Sequence, residues 1–144
     1  MPPRLVQRNS NWATRWERPK ELPAEALYGI DTSRFLEDFP SSRKTIGEVP
    51  ELVSAMAIVK QAAARTNVEI GALGADHGQA IFDAAEEVRA GKHKADLLAD
   101  VLAGTGGTVI NMNFNEVIAN LAAVRSGQPR CANWRNRRPP PADG

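Results

Sequence analysis

Between Asp100 and Asn120 the chain reads D-V-L-A-G-T-G-G-T-V-I-N-M-N-F-N-E-V-I-A-N. The run gathers Gly104, Gly106 and Gly107, two threonines, and the amides of Asn111, Asn113, Asn115 and Asn120. Ile110, Phe114, Val117 and Leu121 recur at helical spacing and form one apolar stripe. Asn111 and Asn115 stand one turn apart beside that stripe, and Asn113, Glu116 and Asn120 share a flank. A glycine-rich approach to a helix opening at Thr108 brings together backbone N–H groups, a hydroxyl and the positive end of the helix dipole, which suits an anion. Phosphate fits poorly. No lysine follows Gly107 as a Walker A loop requires, and no strand pattern precedes the glycines as a dinucleotide fingerprint requires. A carboxylate is therefore the expected anion. In the alternative reading the glycines only turn the chain and the asparagines tie down backbone in a crowded helix packing. Residue types alone leave both open.

Pro50 sits where helices favour proline, and Leu52, Met56, Val59 and Ala63 follow at spacings that predict an alanine-rich helix to about Ile70 with those four on its core face. Gly71 and Gly74 punctuate the chain. Asp76 is placed to cap a second helix that turns Ala80, Ile81, Ala84, Ala85 and Val88 inward and stops at Gly91. His77 in its first turn is expected to face solvent, and Lys92-His93-Lys94 to be a basic link. Leu97, Leu98, Val101 and Leu102 lead back to the glycines. Leu22 to Pro40 shows little periodicity and is expected to be extended or looping, with Arg34 its one candidate for chemistry; a surface salt bridge is the simpler role for that arginine. With no alternating run and no internal repeat, the class is all-α.

At 144 residues the chain has the length of one domain, and its formal net charge of +1 supplies no global field for nucleic acid or a membrane surface. The single Cys131 cannot form an internal disulfide and fits a reducing compartment, so a cytoplasmic location is expected. His77 and His93 lie far apart without partner cysteines, so no metal site is expected, and no cofactor pattern is present. No apolar run approaches a membrane span. Residues 1–20 are polar and acid-poor and read as a flexible leader, with a transit peptide as the alternative. After Val124 the composition becomes rich in arginine and proline. Residues 125–144 are expected to be a solvated, disordered tail, although a basic arm with Trp134 for stacking could touch nucleic acid.

Gly107-Thr108-Val109-Ile110-Asn111-Met112-Asn113-Phe114-Asn115-Glu116-Val117-Ile118-Ala119-Asn120 resembles a signature of the aspartase/class II fumarase superfamily. Pro23-Ala24-Glu25-Ala26-Leu27-Tyr28-Gly29-Ile30-Asp31-Thr32-Ser33-Arg34, with Glu37-Asp38-Phe39-Pro40 after it, is similar to that family's opening, and Ile46 to Leu52 with Val59 to Ala64 resembles its next helix. The resemblance spans roughly residues 21 to 123 and marks residues 21–124 as a fumarate lyase N-terminal domain. It implies an enzyme that removes ammonia or water from a dicarboxylate, aspartate or malate, to give fumarate, by abstracting a proton next to a carboxylate. Thr108, with the Gly106 and Gly107 backbone, would bind a substrate carboxylate and Asn111 would support it, while Arg34, Asn113, Asn115 and Glu116 would give structural support. The family's serine base, its central helical bundle and its His-Pro-Asn segment have no counterpart here, so no catalytic residue is expected within this chain. The expectation is an N-terminal domain without the rest, arising from truncation or a change of reading frame, and inactive alone. Family members are homotetramers held by the missing bundle, so assembly of this chain is not expected to follow them. Tyr28-Gly29-Ile30, Pro50-Glu51-Leu52 and Gly104 lean towards aspartate ammonia-lyase; a fumarate hydratase-like domain, or a non-catalytic module that associates with full-length subunits, are the alternatives.

Overall fold

The computed structural model describes residues 22–38, 42–103, 107–128 and 130. Four helices organise them: α1 (Ile30–Asp38), α2 (Pro50–Glu69), α3 (Ala75–Arg89) and α4 (Thr108–Arg125). Short 3-10 turns at Ile46–Glu48 and Lys94–Asp96 flank the α2/α3 hairpin. The described residues contain no strand, only an isolated antiparallel bridge between Thr45 and Asp100. The class is all-α, as the sequence reading expects.

The core forms around α4. Phe114, Val117, Ile118, Leu121 and Ala122 pack against Ala84, Ala85 and Val88 of α3, Val53 of α2, and the loop residues Leu27, Ile46, Leu97 and Ala99. The α2/α3 hairpin closes tightly because small residues line its seam. Ala57 and Ala64 are buried, and a Cβ on Gly78 would collide with Val68.

Three helices stop by the same device. At the end of α3, Gly91 adopts φ 81, its N–H donates to Val88 O and Lys92 N–H donates to Glu87 O, the paired closure of a Schellman motif. The pattern repeats after α2 at Gly71 and after α4 at Gly127. The expected stop at Gly91 is therefore borne out, and so is the span of α2.

Three expectations need correction. The buried face of α2 is Val53, Ala57, Gln61 and Ala64, with Leu52 and Met56 partly buried beside it. Val59 is 57% exposed, and Ala63 is also exposed. An alanine-rich helix is apolar on several faces, so spacing alone does not select the one that α3 covers. The cap of α3 is Gly74, whose carbonyl accepts Gly78 N–H at 2.9 Å, and Asp76 lies inside the first turn.

The third correction is α1, which occupies a segment expected to be irregular. Its helical state is imposed from a distance. Glu116, on α4, accepts hydrogen bonds from the N–H groups of Gly29, Asp31 and Thr32 at 2.9, 2.9 and 3.2 Å and from the Thr32 hydroxyl at 2.6 Å. A carboxylate thus caps the N-terminus of α1 from 85 residues away. No local pattern announces such a cap.

Candidate active site segment

α4 carries two kinds of polar residue, and the structure separates them. On one flank Asn113 is fully buried; its Oδ1 accepts Ala99 N–H at 3.0 Å and its Nδ2 donates to Asp96 O at 2.9 Å. Asn120 Nδ2 donates to Leu27 O at 2.8 Å, and Asp96 Oδ1 accepts Leu27 N–H at the same distance. With Glu116, these groups fasten the two irregular segments, residues 22–29 and 96–103, to the central helix. The 96–103 segment is held again at its far edge. Ile46 N–H donates to Ala99 O, Gly47 N–H to Leu97 O and Val101 N–H to Lys44 O, while the buried Asp100 carboxylate accepts from Ser42 N–H and hydroxyl and from Leu102 N–H. The reading of asparagines as backbone ties therefore holds for Asn113 and Asn120.

The other polar group lies at the helix start. Gly107 takes the cap position with φ 84, and its carbonyl accepts Asn111 N–H at 3.0 Å. Gly107 has no side chain to cap this end itself, a Cβ there would meet nothing within 4 Å, and Thr108 is exposed. Thr108 thus stands exposed at the first position of the helix, behind a left-handed glycine. Asn111, one turn further on, is half-buried and accepts a hydrogen bond from Lys60 Nζ on α2 at 2.5 Å. Partial burial pushes the Lys60 ammonium below its ordinary pKa.

The expected site residues are thus only partly gathered. Thr108, Gly107 and Asn111 share the first turns of α4; Gly106 lies outside the described residues. Asn113 and Glu116 act in the backbone clamp, and Asn115 is exposed on the opposite side. Arg34 is 6% exposed within α1, so a surface salt bridge does not describe it. Lys60 was not singled out as a site residue by its sequence, although a lone cation in the run Ala55 to Ala64 is itself a signal. The arginine-rich tail is described only at its start: Arg125 still belongs to α4 and pairs with Glu87, and Arg130 Nη1 donates to the carbonyls of Ala24 and Ala26. Its remaining residues, and the leader at 1–20, lie outside the described residues. No metal-holding cluster of three or more His, Cys, Asp or Glu occurs among the described residues, and no helix among them is long and apolar enough to cross a membrane.

Comparison with known proteins gives this arrangement its context. A family pattern described as lyase matches residues 19–135. The chain belongs to the aspartase/class II fumarase superfamily of lyases. Within that superfamily it is 44% identical over 111 residues to an aspartate ammonia-lyase of a Bacillus species, covering 77% of this chain and 23% of the relative. To the class II fumarate hydratase of Myxococcus xanthus it is 43% identical over 112 residues, covering 78% and 24%. A fumarate lyase:delta crystallin from Brucella melitensis superposes with a TM-score of 0.76 at 36% identity, over 82% of this chain and 26% of that one. A class II fumarase from Schistosoma mansoni gives 0.68 at 31%, over 75% and 23%. The chain spans about a quarter of the length of the lyases it matches.

Proposed function

We propose that residues 21–124 form the N-terminal domain of an aspartate ammonia-lyase-like enzyme, and that the start of α4 holds a carboxylate of the substrate. The observation that carries the reading is the start of α4, where Thr108 stands exposed behind a left-handed Gly107 and Asn111, held by Lys60, lies one turn behind it. Abstraction of a proton next to a carboxylate drives charge onto that group, and donors set around it in advance lower the barrier. Backbone N–H groups at a helix start and a threonine hydroxyl are donors of that kind. They need no charge of their own. The base that takes the proton is assigned to no residue of this chain, and the domain on its own is expected to bind rather than to turn over.

The near-equal identity to a class II fumarate hydratase supports the second reading, hydration of fumarate to malate. A chimera separates the two. Residues 21–124 replace the matching part of the Bacillus aspartate ammonia-lyase, and fumarate formation is followed by its ultraviolet absorbance with aspartate and with malate. Conversion of aspartate alone supports the ammonia-lyase reading of this segment. A chimera that folds and assembles but has lost aspartate in favour of malate supports the hydratase reading. A folded, assembled chimera inactive on both overturns the carboxylate assignment.

A further inference from the structure

The seam between α2 and α4 holds a cation that meets no carboxylate among the described residues. Lys60 Nζ donates to Asn111 Oδ1 at 2.5 Å, the one acceptor recorded for it among the described residues. Four carboxylates of the helices packed on α2 and α4 are engaged elsewhere, and Asp76 lies in the first turn of α3. On α3, Asp83 meets Arg125 and Gln79, Glu86 meets Arg89 and Gln61, and Glu87 meets His93 and Arg125. On α4, Glu116 is turned to α1. On α2 itself, Glu51 and Glu69 lie more than two turns away in opposite directions. Burial is the one cause that lowers the lysine's pKa, with no neighbouring charge contributing.

The chemistry of the pair then fixes a direction. Lysine has three donors and no acceptor, so the Asn111 amide must turn its oxygen to Lys60. That leaves the Nδ2 hydrogens to the other side of the amide. Held in this way, Asn111 is a donor rather than an ambiguous amide, and it stands one turn behind Thr108.

Resting on the carboxylate reading above, we infer that Lys60 is a positioning residue of the dicarboxylate site, orienting Asn111 as a hydrogen-bond donor to the bound anion and lending it positive charge. Lys60 acts on the anion through Asn111. Binding of a carboxylate and protonation of Lys60 favour each other, so affinity falls as pH rises through the lowered lysine value.

The test uses the whole 144-residue chain and succinate, an unreactive dicarboxylate, followed by nuclear magnetic resonance of the backbone and side-chain amides. In the native chain succinate shifts Thr108 and the Asn111 side-chain amide, and its affinity weakens as pH rises towards the ordinary lysine value of 10.5. Lys60→Met weakens succinate by about tenfold to a hundredfold, the worth of a hydrogen bond to a charged group, and abolishes the Asn111 side-chain shift. Lys60→Arg, charged across the whole range, restores binding and flattens the pH profile. Lys60→Gln is measured beside Lys60→Met, so that a folding defect in one does not decide the result. If Thr108→Ala loses succinate while Lys60→Met and Lys60→Gln keep native affinity, the role of Lys60 is overturned and the carboxylate reading stands. If succinate shifts neither Thr108 nor Asn111 in the native chain, both fall.

Discussion

Truncating Asn113 to alanine would strand a donor and an acceptor together, because Ala99 N–H and Asp96 O both end on its amide inside the protein. Each stranded group costs about 1–3 kcal/mol. Asn113→Ala is therefore expected to lose about 2–4 kcal/mol in urea unfolding, and Asn113→Asp also to destabilise, since its second oxygen would face the Asp96 carbonyl. A loss below about 0.5 kcal/mol, the usual range for a surface change, would contradict the clamp. The sequence already places Asn113, Glu116 and Asn120 on one flank, but residue type does not say whether an amide binds ligand or backbone. What decides is which segment lies opposite. That segment, Leu27 to Thr32 or Asp96 to Ala99, is remote or irregular, so its position is invisible to periodicity.

Among the elements, α1 depends most on a partner. Its acidic sequence supplies no basic last turn and its cap comes from Glu116, so Glu116→Ala is expected to raise amide hydrogen exchange across residues 31–38 while α2 and α3 keep their protection. Uniform acceleration through all four helices would instead make Glu116 a global core residue. Gly29→Ala should act similarly, because a Cβ there collides with the Glu116 carboxylate. The long helices were legible from their own residues, with Pro50 opening α2 and Gly91 closing α3; α1 was not, because its cause is tertiary. The end of α3 is tied to the end of α4 through Glu87, whose carboxyl the His93 hydrogen bond holds below the usual carboxylate range, with Arg125, Lys92 and His93 charges adding to it. A depressed carboxyl contributes stability that is fully present above its unfolded value near 4.5 and is lost as pH falls through the folded one. Glu87→Gln is expected to cost up to about 1 kcal/mol at neutral pH, in keeping with a partly exposed pair, and nothing at pH values where Glu87 is protonated in both states. Equal cost at all pH values would show that shape, not charge, matters there.

Over the whole molecule, the surface is as informative as the core. Ile58 and Val59 on the outer face of α2, with Val124 on α4 and Leu36 on α1, are large apolar side chains left at 40–57% exposure. Ala55, Ala62 and Ala63 extend the α2 face. Patches of this kind promote association, and Val59→Lys is expected to reduce light scattering at high protein concentration while leaving unfolding within about 0.5 kcal/mol of native. Unchanged scattering would remove that face as a cause of association. At this scale membership of the superfamily was readable from the Gly107–Asn120 run, because a long motif survives where a single residue's role does not. The separation of that motif into a backbone clamp and an exposed helix start appeared only with the fold.

The most direct measurement of the central claim is the steady-state kinetics of the Bacillus chimera carrying residues 21–124, with and without Thr108→Ala. Removing one placed donor from a developing carboxylate charge is expected to lower kcat/KM for aspartate about tenfold to a thousandfold, with the assembled protein otherwise unchanged in thermal unfolding. A Thr108→Ala chimera with the parent's kcat/KM would contradict a carboxylate bound at the start of α4.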